Sequence, residues 1–287
     1  MQNSNYILSC DIGGTHITSA IVEKDSWRIL NETITRSHVN SLENAKSIFL
    51  DWTTNMKSCL EKTDLEVVNI GIAAPGPFDY DKGIALMKGQ SKYDSIYNIK
   101  VTEPILEGLG QQDFKILYIN DAAAFLQGEV FGCGLDHKDR ILGITLGTGL
   151  GSAVWSQGEK AFDADLWDTV YKDSIFEEYL VTRWFVKRFE ELAGFKESGL
   201  REILEKHAET KEVTQLLSEY QEHLLLFMEF FSQKHDCKSF VIGGNIVKAW
   251  DRIFPDKSVL EGFEVQIGQY QEHAAIIGAA SLFSNGI

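Results

Sequence analysis

One design occurs twice in this chain, and it restricts the fold more than any other feature. Tyr6 to Thr18 reads YILSCDIGGTHIT: an apolar run, Asp11, two glycines, Thr15, then the alternating apolar positions Ile17, Ala20 and Val22. Alternation on either side of a Gly-Gly pair is the pattern of strand, tight turn, strand. Arg140 to Trp155 repeats it, with RILGITL leading into Gly147-Thr148-Gly149-Leu150-Gly151-Ser152 and then Ala153, Val154 and Trp155. Glycine-rich turns let a ligand approach the backbone, and their successive N–H groups form an anion cradle to which a threonine hydroxyl adds a donor. A pair of purely structural turns would not need Thr beside Gly each time. The repeat therefore predicts two similar domains, each offering a phosphate-gripping hairpin to a shared cleft. Asp11, at the end of the first strand, is placed to hold a metal-bound water.

Composition narrows the class of partner. The 287 residues are 44% hydrophobic and 24% charged, an ordinary globular balance, and the length fits about two domains. A net charge of -15 argues against nucleic acid, whose binding needs Lys and Arg to displace counterions. It does not argue against a phosphate ligand, because such a site is local and often metal-assisted. Cys10, Cys59, Cys133 and Cys237 lie far apart and form no CxxC pair, as expected for reduced thiols of a cytoplasmic protein. No signal peptide and no long apolar span is expected, so no membrane partner is either.

Along the chain, Trp27 to Ile34 alternates as a third strand. Helical spacing from Ala45 to Leu60 predicts a helix over Leu42 to Glu61. Val67 to Ala73 reads as a buried strand running into Ala74-Pro75-Gly76-Pro77-Phe78-Asp79, which is either a rigid turn or a substrate-lining loop. Gly83 to Lys100 is irregular and polar, with Lys88, Gln90, Lys92 and Tyr93, and Glu103 to Leu109 reads as a short helix. The strand Lys115 to Ile119 meets Asn120 and Asp121 where a helix begins with Ala122. Either residue singly reads first as an N-cap, yet the pair also fits a ligand site at the carboxyl end of a sheet. Asp163, Asp165 and Asp168 read as a solvated acidic loop. One helix is expected over Ile175 to Phe189 and another over Val213 to Phe231, with aromatic and Met positions as core. His207, His223 and His235 lack metal-ligand spacing. Ser239 to Ile242 is a strand ending in Gly243-Gly244-Asn245 before a helix from Ile246, a turn on which a flat ligand such as a nucleotide base can lie. Phe263 to Ile267 is a last strand, and Ala274 to Phe283 a small-residue helix suited to close packing.

Taken together, DIGGTHI, IAAPGPFD, IND, LGTGLGS, VIGGN and AAIIGAA follow the order and spacing of the ROK-family sugar kinases, which this chain resembles over nearly its whole length. That family belongs to the actin, hexokinase and Hsp70 superfamily. The resemblance implies an α/β fold of two ribonuclease H-like, actin-like ATPase domains closing on a cleft: residues 1–121, completed by a C-terminal helix at 273–287, and residues 122–272. It implies ATP and Mg²⁺ as cofactors and a sugar as substrate. Asp121 would be the general base, Asn120 a sugar ligand with Gly76 beside it, and Asp11 a partner of Mg²⁺ through water. Gly13, Gly14, Thr15, Gly147, Thr148 and Gly149 would hold the phosphates, and Gly243 and Gly244 would lie against the adenosine. A homodimer is also implied.

The chain departs from the family in one region. The Glu-x-Gly-His sugar motif and the cysteine-rich CxCGxxGCxE zinc loop are missing, and Glu159 to Ser174, where they would fall, is short and Cys-free. No structural zinc is therefore expected. The Glu that ends the zinc loop, a sugar ligand in the family, corresponds to Glu177, with Glu178 adjacent; an exposed helix charge is the other reading of Glu177. The functional expectation is an ATP-dependent hexose or hexosamine kinase, glucokinase-like. The alternatives are a sugar-responsive regulator of the ROK type and a catalytically silent sugar-binding protein. Regulators of that type carry an N-terminal DNA-binding helix-turn-helix, whereas this chain is expected to enter its first strand by Tyr6, and Asp11 and Asp121 together favour the enzyme.

Overall fold

The computed structural model describes residues 4–90 and 92–284. Contacts divide the chain into two compact units, one formed by residues up to 139, 155–162 and from 272 onward, the other by 140–154 and 163–271. Elements are numbered along the chain.

The first unit is built on a six-stranded sheet. Strand β1 (Tyr6–Ile12) turns into β2 (His16–Glu23), antiparallel to it with Asp11 opposite Thr18. β2 also pairs with β3 (Arg28–Ile29) and β4 (Thr35–His38). On the other side β1 runs parallel to β5 (Val67–Ala74), and β5 parallel to β8 (Lys115–Asn120). A parallel neighbour requires a crossover, and the chain supplies one with α1 (Ala45–Leu60) and another with α2 (Thr102–Leu109). Asn44 starts α1 as an N-cap, its side chain accepting from Ser47 N–H at 3.1 Å. Ile48, Trp52 and Met56 of α1 are buried in one core with Leu8, Ile70, Ile72 and Ile105. A small ribbon of β6 (Phe78–Asp79) and β7 (Ile84–Ala85) follows the proline loop.

The expected strand from Trp27 to Ile34 is broken. Only Arg28–Ile29 pairs, and Asn31–Thr33 forms a 3₁₀ turn before β4. Buried Thr33 causes the break. Its hydroxyl donates to Leu30 C=O at 2.7 Å and accepts from Ile21 N–H at 2.9 Å, so a side chain takes the place of a ladder bond.

Helix α3 (Asp121–Gly132) leaves β8 directly and packs against the closing helix α9 (Ala274–Ala280). The small residues of the closing segment make this contact unusually close. A Cβ on Gly128 would sit 1.8 Å from the carbonyl oxygen of Ala274, and one on Gly278 would sit 1.9 Å from that of Ala124. Gln127 is fully buried at the crossing. It donates to Gly278 C=O at 3.1 Å and to the Ser281 hydroxyl at 2.9 Å, and accepts from Ala161 N–H at 2.8 Å. The expected helix to Phe283 becomes a 3₁₀ turn from Ser281, and residues 285–287 of the expected terminal helix lie outside the described residues.

The second unit holds the other sheet, in the order β11 (Phe162–Asp163), β10 (Leu150–Ser156), β9 (Arg140–Leu146), β14 (Ser239–Gly243) and β15 (Glu264–Ile267). β9, β14 and β15 are parallel. A short hairpin of β12 (Val170–Tyr171) and β13 (Ser174–Ile175) precedes the helices. The helix expected across 175–189 is two helices, α4 (Phe176–Leu180) and α5 (Thr182–Ala193), parted by the extended backbone of Val181. α6 (Leu200–His207), absent from the sequence reading, and the long α7 (Lys211–His235) complete the layer; Phe185, Tyr220, Phe227 and Phe231 are fully buried there. The helix expected from Ile246 begins as a 3₁₀ turn over Asn245–Ala249 and continues as the four-residue α8 (Trp250–Ile253).

His223 on α7 is only 4% exposed. Its Nδ1 accepts from the Tyr171 hydroxyl at 3.0 Å and lies 3.4 Å from Lys172 Nζ, while Tyr179 and Trp184 meet its ring edge-on. Burial pushes its pKa down to about 4; Lys172 and Arg188 act the same way, and Glu219 opposes them.

Two tests follow from this packing. Mid-helix Gly→Ala ordinarily gains up to about 1 kcal/mol. Gly128→Ala should instead destabilise by about 3 kcal/mol in urea unfolding, because the methyl group collides with α9 backbone. For His223 the folded pKa lies below the ordinary 6.5, so the unfolded chain takes up the proton first. Its contribution is full above pH 6.5 and is lost as pH falls through 4, about 2–3 kcal/mol in all. His223→Gln should flatten the stability profile in that window, followed by the fluorescence of neighbouring Trp184.

Candidate functional site

In the first unit the candidate residues gather at one edge of the sheet. Strands β1, β5 and β8 are parallel, so their carboxyl ends lie together. Asp11 pairs with Ala73, Ala73 with Ile119 and Ala74 with Asn120. Asp11 and the Asn120–Asp121 step therefore stand at the same level, about 9–10 Å apart across two strand spacings.

Asn120 is nine-tenths buried and caps α3, its Oδ1 accepting from Ala122 N–H at 2.8 Å and from Ala123 N–H at 3.1 Å. Its Nδ2 donates to the Tyr80 hydroxyl at 3.2 Å, and that hydroxyl donates to Ala74 C=O at 3.1 Å. Nδ2 carries two hydrogens, so one donor remains for a ligand. Because Asn120 does the capping, Asp121 is not needed as the cap. Asp121 stands exposed on the first turn of α3, its Oδ1 accepting only the adjacent Ala122 N–H at 2.8 Å among the described residues.

The two carboxylates influence one another. Asp11 is pushed up to about 7, first by burial and then by the negative charge of Asp121, against a smaller opposing effect of Arg36. The protein around the Asp121 carboxylate raises it too, while the Ala122 N–H and Lys92 act the other way. Both carboxyls thus hold a proton more readily than an ordinary aspartate.

The first glycine turn lies beside Asp11. Gly13 N–H donates to His16 C=O at 2.8 Å, and the buried Tyr93 hydroxyl donates to Gly13 C=O at 2.6 Å. Val39 N–H donates to Thr15 C=O at 2.8 Å, and the Thr15 hydroxyl lies 2.9 Å from His16 Nδ1. The N–H groups of Gly14 and Thr15 have no partner among the described residues. Gly76 sits with its Cα hydrogen toward the same ring of groups: a Cβ there would lie 3.4 Å from the Tyr80 hydroxyl and 3.7 Å from Asn120 Nδ2.

In the second unit the other turn and the diglycine also share an edge. β9 and β14 are parallel, with Gly243 opposite Thr145, so Gly244 arrives beside Leu146. Gly244 has φ +93, and a Cβ on it would lie 2.2 Å from Leu146 C=O. That close approach is what requires glycine at 244, and it leaves the residue exposed next to the Gly147–Gly149 turn. The turn closes with Gly147 N–H donating to Gly149 C=O at 3.2 Å.

Glu177 lies at this turn. Its Oε2 accepts from Leu150 N–H at 3.0 Å, and its Oε1 accepts from Arg183 at 2.9 Å. No motif or spacing points to Tyr80, Thr182 or Arg183. The Glu-to-Arg separation of six is no helical spacing and works only because the chain breaks at Val181. Lys92 and Tyr93 stood in a loop whose spacing proves nothing, yet Tyr93 anchors the first turn. Among the described residues no group of three His, Cys, Asp or Glu side chains is gathered to hold a metal, and no helix is long and apolar enough to cross a membrane.

The chain is similar to known proteins. The chain is 32% identical over 154 residues to a glucokinase of Thermotoga maritima, covering 53% of this chain and 45% of that one. It is 26% identical over 155 residues to an N-acetyl-D-glucosamine kinase of Mannheimia succiniciproducens, covering 52% and 45%. It is 23% identical over 154 residues to a xylose repressor of Bacillus subtilis, covering 53% and 38%. The chain thus matches less than half the length of each of these relatives. A ROK-family glucokinase from Streptomyces griseus, solved with glucose and AMPPNP, superposes with a TM-score of 0.71 at 18% identity, covering 96% of this chain and 98% of that one. The mixed α/β chain takes the actin-like ATPase fold of such kinases. The ROK family model matches residues 7–162, more than half of the sequence, and the chain belongs to the ROK family.

Proposed function

We propose that this chain is an ATP-dependent kinase acting on a hydroxyl of a hexose or hexosamine, in the manner of a glucokinase. The observation that carries the proposal is the Asn120–Asp121 division of labour at the edge of the first sheet. Asn120 supplies the helix cap, and Asp121 keeps an exposed carboxylate whose proton affinity is raised. Family membership and the glucokinase and N-acetyl-D-glucosamine kinase relatives support the same reading.

Asp121 would take the proton of the sugar hydroxyl as that oxygen bonds to the γ-phosphorus of ATP and the bond to the bridging oxygen breaks, leaving ADP. A raised carboxyl pKa suits a general base working near neutrality. The free hydrogen of Asn120 Nδ2 would orient the sugar, with Gly76 leaving room beside it. In the first unit the Gly13–Gly14–Thr15 turn would take phosphate oxygens on the amides of Gly14 and Thr15; in the second, the Gly147–Thr148–Gly149 turn would do so on those of Thr148 and Gly149, and Gly243 and Gly244 would take the adenosine. Phosphoryl transfer depends on such positioning and charge neutralisation more than on covalent chemistry.

The donor set also fits Mg²⁺. That ion is held by one or two carboxylates and substrate phosphates rather than by a protein cage, and Asp11 beside the first glycine turn supplies such a carboxylate. Asp11 would hold it through water, and the bound ion would neutralise phosphate charge. A homodimer, implied by the resemblance, and a cytoplasmic location, expected from the widely spaced cysteines, belong to the same proposal.

The xylose repressor relative favours a second reading, a sugar-responsive regulator or a silent sugar-binding protein. A coupled ADP-release assay over a panel of hexoses and hexosamines separates them. Turnover with one sugar is expected; silence with every sugar alongside tight sugar binding would sink the kinase. Asp121→Asn should keep the Asn120 cap, the fold and sugar affinity, and lose about 10²–10⁴ in kcat. Wild-type turnover in that variant would remove Asp121 from the mechanism.

A further inference from the structure

The Gly147–Gly149 turn has one internal hydrogen bond, 3.2 Å long, and Thr148 and Gly149 are exposed. Such a turn does not hold its own shape. Four contacts from the start of the helical layer hold it instead. The N–H and the hydroxyl of Thr182 both donate to Gly147 C=O, at 2.8 and 2.9 Å. Arg183 Nη1 donates to Thr148 C=O at 3.2 Å. Glu177 closes the ring by accepting Leu150 N–H through one oxygen and Arg183 Nη2 through the other. Arg183 is itself fixed by Glu178, at 3.1 Å through Nε and 2.7 Å through Nη2.

The consequence for the amides is geometric. In a trans peptide the C=O of one residue and the N–H of the next point in opposite directions. With the carbonyls of Gly147 and Thr148 drawn toward Thr182 and Arg183, the N–H groups of Thr148 and Gly149 are turned away from that brace. Neither has a partner among the described residues. Two successive amides presented this way form an anion cradle. Both oxygens of Glu177 are meanwhile occupied, and a Cβ on Gly149 would come within 3.3 Å of Oε2.

We propose that Arg183 and Glu177 are positioning residues that aim the Thr148 and Gly149 amides at a nucleotide phosphate, and that Glu177 serves this turn rather than the sugar. The inference rests on the nucleotide-binding reading above. The roles of the two residues are distinct. Arg183 orients a carbonyl and so the amide behind it, which needs a planar fork reaching Thr148 and both glutamates. Glu177 fixes the far end of the turn and holds the arginine.

The test uses the full chain, with calorimetric binding of Mg·AMPPNP, KM values for ATP and for the best sugar of the panel, and hydrogen exchange of the 147–150 segment. Circular dichroism and melting temperature check folding. Arg183→Ala removes a charge-assisted bond to the turn, so its Kd for Mg·AMPPNP should rise about tenfold or more, with the sugar KM within about twofold of wild type. Exchange at Gly147 and Leu150, whose N–H groups are bonded within the turn and to Glu177, should quicken while the rest of the chain is unchanged. Arg183→Lys should recover less than half of the loss, since an ammonium cannot span three acceptors in a fork. Glu177→Ala should act in the same direction. Unchanged nucleotide binding and unchanged exchange in Arg183→Ala would overturn the proposal. So would Glu177→Ala that raises only the sugar KM, which would return Glu177 to the sugar. Failure of the wild-type chain to bind Mg·AMPPNP would reject the nucleotide reading itself, and the proposal with it, a result told apart by needing no variant.

Discussion

The backbone contact between α3 and α9 is the constraint on which the first unit's site depends. Gly128 and Gly278 let two helices approach until one carbonyl fills the space where each Cβ would be. Gln127, with no exposure, then ties α3 to α9 and to Ala161. β5 joins the same arrangement, because a Cβ on Gly71 would lie 2.1 Å from Ala279 C=O, and β1 joins it through the Ser9 hydroxyl, which donates to Ile276 C=O at 2.5 Å. The strand carrying Asp11, the strand leading to Gly76 and the helix starting at Asp121 are thus all referenced to α9. A carboxylate at the free end of a short helix would otherwise wander by the width of a substrate atom, and misplacement by about 1 Å can cost about 10²-fold in rate.

Within that frame, neighbouring residues divide two tasks that a single carboxylate could not perform together. A cap must give its oxygen to backbone amides, and the base proposed here must keep an oxygen free. Asn120 takes the first task, and a neutral amide does so without adding charge beside Asp11. Asp121 is left with its charge near a second carboxylate, an arrangement unfavourable in isolation. Arg36 and Lys92 temper it from opposite members of the pair, Arg36 acting on Asp11 and Lys92 on Asp121. Among the described residues neither cation hydrogen-bonds these carboxylates, so the pair keeps its affinity for a proton or a metal ion.

Much of this was legible in the sequence because it is local. Both Gly-Thr turns, the strand-to-helix switch at Asn120–Asp121 and the diglycine at 243–244 are short patterns with strong backbone preferences, and each lies at the end of a strand where it was read. The small residues of AAIIGAA announced close packing. What could not be read depends on long-range partners. Tyr80 matters because Ala74 and Asn120 come to it from adjacent strands. The break at Val181 has no Gly or Pro to announce it; its cause is the Thr182 N–H reaching Gly147, 35 residues away in sequence. Thr33 interrupts an apparently good strand for a similar reason, since its hydroxyl finds Ile21 across the sheet. Periodicity reports which face is buried, and these residues act through single hydrogen bonds that leave the face unchanged.

The segment from 164 to 177 is held by packing that no motif announces. Ala164 N–H and Leu166 N–H donate to Ser152, at 2.8 and 3.1 Å, fastening the acidic loop to β10. Glu177 N–H donates to Trp167 C=O at 3.1 Å, and Phe176 N–H to Thr169 C=O at 3.0 Å, which folds the β12–β13 hairpin back on α4. Tyr171 at the hairpin stacks on Phe176 with centroids 4.3 Å apart and planes 10° from parallel, and its hydroxyl reaches His223. The chain from 164 to 177 therefore closes through backbone bonds, one aromatic stack and a buried neutral histidine. Glu177 is the residue on which this closure ends. Its main chain completes the loop through Trp167, and its side chain completes the glycine turn through Leu150 and Arg183. The loop delivers this one carboxylate to the turn, so the loop and the turn are fixed together at Glu177.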